Sequence, residues 1–338
     1  MASGGCRCVA SGPAPSRCTP RGGEGVHEGA FDTRHGGSGW FRQARAWYRA
    51  TRPRTLSASF VPVLAGTTLA LPETFLPHRF LLALVGAVAI QAATNMLNEH
   101  FDHVQGLDHT RPRRADMVVR TGVLPPEALL RGGVAAMAVG AVCGLALVAQ
   151  TGPDLLAVGV LSVFAGYAYT ARPFALGYRA LGEVTVFVFM GPVIVMGAHF
   201  VQTERWTGQA FLLSVPIGLL VTAILHVNNV RDMEYDRAHG KRTLANLLGR
   251  RVAGYEYALL VLGGHALLPA LVASGVLPPP VLLALLTLPR AVRLVRALGI
   301  SEGVLPLDGV MVGTAKLHRD FGLLLALGLL LDAARPSW

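Results

Sequence analysis

Apolar residues recur along this chain in long continuous runs separated by polar stretches, not in the alternating or one-faced patterns of soluble domains. After residue 40 the runs fall at 55–72, 79–100, 129–151, 154–171, 182–201, 209–230, 253–274, 277–298 and 318–333. Each is near the roughly 20 residues that a helix needs to cross a bilayer core. The first, fourth and last are short, and the eighth carries Pro289. The pattern predicts an all-α, multi-spanning transmembrane helical bundle of about nine helices, occupying residues 41–338.

Residues 1–40 are different. They are rich in Gly, Ser, Pro and Arg, with no apolar period, and read as a disordered tail. The stretch lacks the apolar core of a secretory signal. Its Arg and Ser would suit a transit peptide, but Glu24, Glu28 and Asp32 argue against one. A start codon placed upstream of the true one accounts for the tail equally well. Of the four cysteines, Cys6, Cys8 and Cys18 lie here with His27 nearby, at no zinc-site spacing. Cys143 sits in an apolar run and reads as packing.

Composition agrees with a membrane chain. It is 52% hydrophobic and 15% charged, with mean hydropathy +0.47, where soluble domains carry about 25% charged residues. The net charge of +10 belongs to cations in the segments between apolar runs, with no basic stripe interleaved with aromatics, which excludes a nucleic-acid partner. Their distribution sets topology instead. Arg42, Arg45, Arg49, Arg52, Arg54, Arg111, Arg113, Arg114, Arg120, Arg231, Arg237, Lys241, Arg242, Arg250 and Arg251 fall on one side, and only Arg79, Arg205 and Arg335 on the other. The positive-inside rule then gives an N-in/C-out bundle. Chemistry in the long inner loops would face the cytoplasm, in the inner (plasma) membrane of a bacterial cell, with an organelle membrane as the alternative.

Two polar constellations end apolar helices on that side. The second run closes with Asn95, Asn98, Glu99 and Asp102, then Gly106 and Asp108. Asn98 and Asp102 are four apart and share a helix face, with Asn95 beside Asn98. Gly106 can turn the chain so that Asp108 folds back toward that face. The sixth run closes with Asn228, Asn229, Arg231, Asp232, Asp236, Lys241 and Arg242. Asn228, Asp232 and Asp236 again fall at intervals of four. Carboxylate and amide oxygens are hard ligands suited to Mg²⁺, which takes its remaining ligands from water and phosphate. Two such faces could hold Mg²⁺ against a diphosphate, with Arg231, Arg237, Lys241 and Arg242 donating to its oxygens. A transporter also places acids within the membrane, but on broken helices near the midplane rather than at helix ends beside Asn and cations.

Asn98-Glu99-x-x-Asp102 with Asp108, and Asp232-x-x-x-Asp236, resemble the two aspartate-rich motifs of the UbiA-type intramembrane prenyltransferases, and the likeness runs from about residue 50 to the end. The Asp102-to-Asp108 spacing is similar to the menaquinone branch. So are Arg52-Pro-Arg54-Thr55, Tyr169-Thr170, Leu176 to Glu183, Gly191-Pro192, Asn228 to Asp232, Gly240 to Leu244 and Thr314 to His318. Glu99 stands where many relatives carry Asp.

The resemblance implies a Mg²⁺-dependent enzyme. It would transfer a polyprenyl group from an allylic polyprenyl diphosphate to an aromatic acid, most nearly 1,4-dihydroxy-2-naphthoate with decarboxylation. Homogentisate and 4-hydroxybenzoate are the neighbouring acceptors. It implies Asn98, Glu99, Asp102, Asp108, Asp232 and Asp236 on the metal. Asp102 and Asp232, with Arg231, Lys241 and Arg242, would act on the leaving group. Arg52, Arg54, Asn95, Tyr169, Tyr178, Arg179, Glu183, Asn228 and Asn229 would bind substrates: Arg52 or Arg54 the acceptor's carboxylate, the tyrosines its ring. Glu183 is expected to orient Arg179 or a similar group. His199, His226 and His265 fall in apolar spans and read as helix–helix contacts.

Overall fold

The computed structural model describes residues 39–106, 118–300 and 304–334. The 1–38 stretch, with Cys6, Cys8, Cys18 and His27, and the predicted metal ligand Asp108 lie outside the described residues. The chain from Gly39 onward is helical: α1 Gly39–Ala50, α2 Ser57–Ala70, α3 Pro77–Val104, α4 Pro126–Thr151, α5 Asp154–Ala168, α6 Gly182–Val188 and α7 Ile194–Thr203. There follow α8 Gly208–Arg231, α9 Met233–Ala238, α10 Leu244–Leu248, α11 Arg250–Ala273, α12 Leu288–Ile300 and α13 Val304–Ala333. Among the described residues no β-strand forms.

Five stretches, Pro77–Val104, Pro126–Thr151, Gly182–Thr203, Gly208–Arg231 and Arg250–Ala273, are long and apolar enough to cross a membrane, and Ser57–Ala70 and Asp154–Ala168 are shorter apolar helices. The protein is an integral membrane protein. Every predicted span coincides with helix, but three differ from expectation. The fifth is α6 joined to α7 through a π-turn at Phe189–Val193, which contains Pro192; a proline removes one backbone donor and widens the local ladder. The eighth is a 3₁₀ segment, Pro279–Thr287, ahead of α12. The ninth begins well before residue 318, because Thr314, Lys316, His318, Arg319 and Asp320 interrupt the apolar signal while the helix continues as α13. The sequence reading also missed α1, an amphipathic helix that exposes Trp40, Phe41 and Tyr48 and buries Ala46 and Ala50.

Local chemistry sets the helix starts. Pro77 and Pro126 occupy first-turn positions, where no backbone donor is needed. The Thr207 hydroxyl accepts from Ala210 N at 3.2 Å to open α8. Thr243 and Asn246 form a reciprocal capping box on α10.

Helix α8 is the centre of the bundle. Leu213, Ile217, Leu220, Val227 and Val230 are buried in one core with Val61 of α2, Tyr257 and Val261 of α11, and Leu317, Phe321 and Leu325 of α13. Between helices surrounded by lipid, close packing rather than water exclusion supplies the attraction. The approach of the π-turn to α8 illustrates this: a Cβ on Gly191 would stand 2.8 Å from Gly218 Cα, so the contact requires glycine.

Candidate active site

A cavity of about 640 Å³ opens between α3, α5, α6, α7 and α8. Its polar end is lined by Asn95, Asn98, Asp102, Tyr169, Thr170, Tyr178, Asn228, Asn229, Lys241 and Asp308. Its far end is apolar, with Leu82, Leu147, Val158, Phe189 and Val193. Arg45, Arg49, Arg52 and Arg54 contribute cations to the lining. The C-terminal ends of α3 and α8 therefore reach one chamber, as their shared polarity predicts.

Helical spacing places the α3 residues. Asn95, Asn98 and Asp102 follow at three and four residues and turn the same face to the cavity. The Asn95 amide donates to Thr51 O at 2.9 Å, fixing the chain after α1. Asn98 Oδ1 accepts from the Thr170 hydroxyl, and Asp102 Oδ1 from the Tyr178 hydroxyl. Glu99, one residue on from Asn98, is rotated away from this face. It is buried, and its Oε1 accepts from the backbone N–H groups of Val118 and Val119, the latter at 2.9 Å. The expected place for Glu99 on a metal is thus not where the structure puts it: this carboxylate holds the segment leading to α4.

The opposite wall comes from two loops that pair through their backbones. Arg242 N donates to Tyr178 O at 3.1 Å, and Ala180 N to Arg242 O at 2.8 Å. This bridge seats Lys241 Nζ 5.2 Å from the centre of the Tyr178 ring, within cation–π range. Lys241 also pairs with the fully buried Asp236 at 3.0 Å. Three predicted cations are not at the site, and the first, Arg237, is exposed and donates to Asn246 O at 2.6 Å. Arg242 is exposed and contributes backbone rather than side chain, and Arg179 is exposed and donates to Pro173 O at 2.7 Å.

On α8 the Arg231 side chain is almost fully enclosed. Its Nε is 3.0 Å and its Nη2 3.1 Å from the two Asp232 oxygens, Nη2 reaches Asn228 Oδ1 at 2.5 Å, and Nη1 pairs with Asp308. Asp232 and Asp236 lie behind the lining, each against a cation, while Asn228 and Asp308 form the surface. Asp308 went unread in the sequence. Its signal was a lone carboxylate in the apolar first turns of α13, which defaults to a functional position in a membrane helix.

Arg52 and Arg54 line the cavity as expected, at a turn where Arg52 has φ 52°. Arg52 Nε is buried and meets no acceptor among the described residues. Glu183 is buried behind the lining, and it orients Asn229 rather than Arg179: Asn229 Nδ2 donates to its Oε1 at 2.8 Å.

Among the described residues no three Asp, Glu, His or Cys side chains converge as a ready metal cage. The donor set at the polar end still fits Mg²⁺. Asp102, Asp308 and Asn98 are hard oxygen donors on one chamber, and Mg²⁺ needs only one or two carboxylates when substrate phosphates complete its shell. Lys241, Arg52 and Arg54 line the same chamber.

Residues 59–300 match the family model described as UbiA prenyltransferase family. The 1,4-dihydroxy-2-naphthoate octaprenyltransferase of Bacillus subtilis (strain 168) is 34% identical over 292 residues, covering 85% of this chain and 93% of that protein. A UbiA homolog from Aeropyrum pernix K1, solved in the apo form, superposes with TM-score 0.62 at 16% identity, over 81% of this chain and 97% of that one. A UbiA homolog from Archaeoglobus fulgidus bound to GPP and Mg²⁺ superposes with TM-score 0.54 at 15% identity, over 83% and 99%. The helical bundle, the chamber and these matches agree, and the chain belongs to the UbiA prenyltransferase family.

Proposed function

We propose that this protein transfers a polyprenyl group from an allylic polyprenyl diphosphate to 1,4-dihydroxy-2-naphthoate, with loss of CO₂, as a step of menaquinone biosynthesis. The observation that carries the reading is the single chamber with carboxylates and cations at one end and an apolar depth at the other. A polyprenyl diphosphate has the same two-part chemistry. The name of the Bacillus relative supplies the acceptor.

Reaction begins when the bond between the allylic carbon and the diphosphate oxygen breaks and the electron pair leaves with oxygen. Lys241 and, through its network, Arg231 stabilise charge on the departing oxygens. Asn98, Asp102 and Asp308 would hold Mg²⁺, which supplies Lewis-acid neutralisation of the diphosphate. The Tyr178 hydroxyl fixes Asp102 for that work, and its ring, with that of Tyr169, faces the allylic cation. The apolar walls keep water from quenching the cation. The electron-rich ring then attacks. Where the attacked carbon bears the carboxylate, departure of CO₂ returns the electron pair to the ring, so the step needs no protein base. Arg52 and Arg54, both on the cavity lining, would bind that carboxylate.

The excess of basic residues beside this polar end supports a site facing the cytoplasm, in the plasma membrane of a bacterium or else in an organelle membrane, with 41–338 as the prenyltransferase domain and 1–40 as a tail. The test is prenyl transfer by membranes carrying the protein, with polyprenyl diphosphate and 1,4-dihydroxy-2-naphthoate, with and without Mg²⁺. Mg²⁺-dependent prenylated naphthoquinol is expected. Transfer only to homogentisate or 4-hydroxybenzoate would overturn the acceptor, and no transfer to any acceptor would overturn the reading.

A further inference from the structure

Behind the cavity wall lies a polar cluster that the reaction above does not use. Glu183 on α6, His226 and Asn229 on α8, and Glu256 on α11 meet in the bundle interior, with Glu183 4% and His226 0% exposed. His226 Nε2 is 2.8 Å from Ala253 O. A carbonyl only accepts, so Nε2 carries the hydrogen and the ring is pinned to α11. Its Nδ1 edge faces Glu183 Oε1 at 3.6 Å and Glu256 Oε1 at 3.7 Å. His226 and Asn229 are three apart on α8 and converge on the same oxygen of Glu183.

This cluster decides which end of the Asn229 amide faces the chamber. The Glu183 carboxylate accepts from Nδ2 at 2.8 Å, so the amide nitrogen is turned into the wall and Oδ1 is left for the cavity that Asn229 lines. Its neighbour has the reverse polarity. Asn228 Oδ1 is engaged by Arg231 at 2.5 Å, leaving its NH₂ for a ligand. Asn229 lines the cavity with Leu225, one helical turn before it on α8, and with Val186 and Met190, apolar neighbours suited to an aromatic ring. Asp308 lies on the Asn228 side, paired with the Arg231 that also engages Asn228 Oδ1.

We infer that Asn229 Oδ1 is the hydrogen-bond acceptor for a ring hydroxyl of the aromatic substrate, and that Glu183 and His226 are positioning residues that hold the amide in that orientation. The inference rests on the prenyl-transfer reading and adds the recognition of the acceptor's hydroxyl, which separates a dihydroxy ring from one whose oxygen is capped. Glu183→Gln is close to isosteric but also offers an N–H, which lets the Asn229 amide turn over. Asn229→Leu keeps the volume and removes the acceptor.

The test uses the full-length protein with 1,4-dihydroxy-2-naphthoate and its two mono-methyl ethers. Wild-type transfer to the dihydroxy compound establishes the underlying reading first. For one of the ethers, the wild type is expected to lose at least about tenfold in kcat/KM, because a site built around a hydroxyl rejects the analogue lacking it. Asn229→Leu and Glu183→Gln should both raise KM for the dihydroxy acceptor, leave KM for the diphosphate within about twofold, and erase the discrimination between hydroxyl and ether. A variant that is merely loosened would lose rate on all three compounds alike. The inference fails if the active wild type uses both ethers as well as the parent, if discrimination survives in Asn229→Leu, or if the substitutions raise KM for the diphosphate instead.

Discussion

The Tyr178 hydroxyl donates to the Asp102 carboxylate, tying the loop ahead of α6 to the C-terminal end of α3 across the mouth of the cavity. Lys241 stands over the same ring. Removing the hydroxyl leaves the ring and its packing in place but lets the carboxylate turn. Tyr178→Phe should therefore fold normally and lose about tenfold in kcat, the worth of one hydrogen bond to a charged group. Asp102→Ala should lose at least ~100-fold. Steady-state prenyl transfer with saturating acceptor measures both; equal losses in the two variants would show that the tyrosine does more than orient the acid.

Arg231 is the counter-ion of two carboxylates, Asp232 and Asp308, with side-chain exposures of 1%, 5% and 37%. Breaking a buried pair by deleting one partner leaves an uncompensated charge, at a cost of roughly 3–5 kcal/mol. Arg231→Met should lower the thermal stability of the purified protein in detergent by an amount of that order. Asp308→Asn, at the more exposed end, should cost far less stability yet reduce prenyl transfer at least about tenfold. A full-rate Asp308→Asn enzyme would remove Asp308 from the site.

Much of this arrangement was readable in the chain, for reasons that particular residues make clear. Asn98, Asp102 and Asn228 were legible because intervals of four fix a helix face and apolar runs fix where the face ends. Glu99 was not, since one residue of helix rotates a side chain by about 100° and motif adjacency hides that turn. Arg242 looks like a phosphate donor and Arg179 like a substrate-binding cation in sequence, but their chain segments are used as a backbone bridge, which composition does not reveal. Asp308 was hidden because α13 carries Lys316, Arg319 and Asp320 at mid-length, so a hydropathy reading starts the helix too late. The pairing of Glu183 with Asn229 joins residues 46 apart in sequence, and no local pattern announces it.

Glu99 offers a sharp contrast with the acids on the cavity face. Its carboxylate caps the Val118 and Val119 amides, and a glutamine can keep one oxygen in place while losing the charge. Glu99→Gln is expected to cost about 1–3 kcal/mol of stability. The Mg²⁺ concentration giving half-maximal rate should stay within about twofold of wild type. A Mg²⁺ titration of the variant beside a thermal melt separates the two effects. A large shift in Mg²⁺ dependence with unchanged stability would return Glu99 to the metal.

The apolar depth of the chamber should set how long a prenyl chain is accepted. Gly159 of α5 and Gly197 of α7 both line it, and a Cβ built on either meets no heavy atom within 4 Å. The backbone at these positions therefore tolerates a side chain, and a large one takes up space that the isoprenoid tail would fill. Gly197→Phe should leave transfer from geranyl diphosphate nearly unchanged, because a short donor keeps its diphosphate at Asp102 and Lys241 and does not reach the new ring. The same variant should lose about tenfold in kcat/KM for donors of forty carbons, comparable with other pocket-filling exclusions. Gly159→Phe tests the wall that α5 contributes. Comparing donors within one variant cancels any general loss of folding, since a loosened bundle would weaken long and short donors together. A uniform loss across chain lengths would mean that the tail leaves the chamber by another path, between helices and into the lipid.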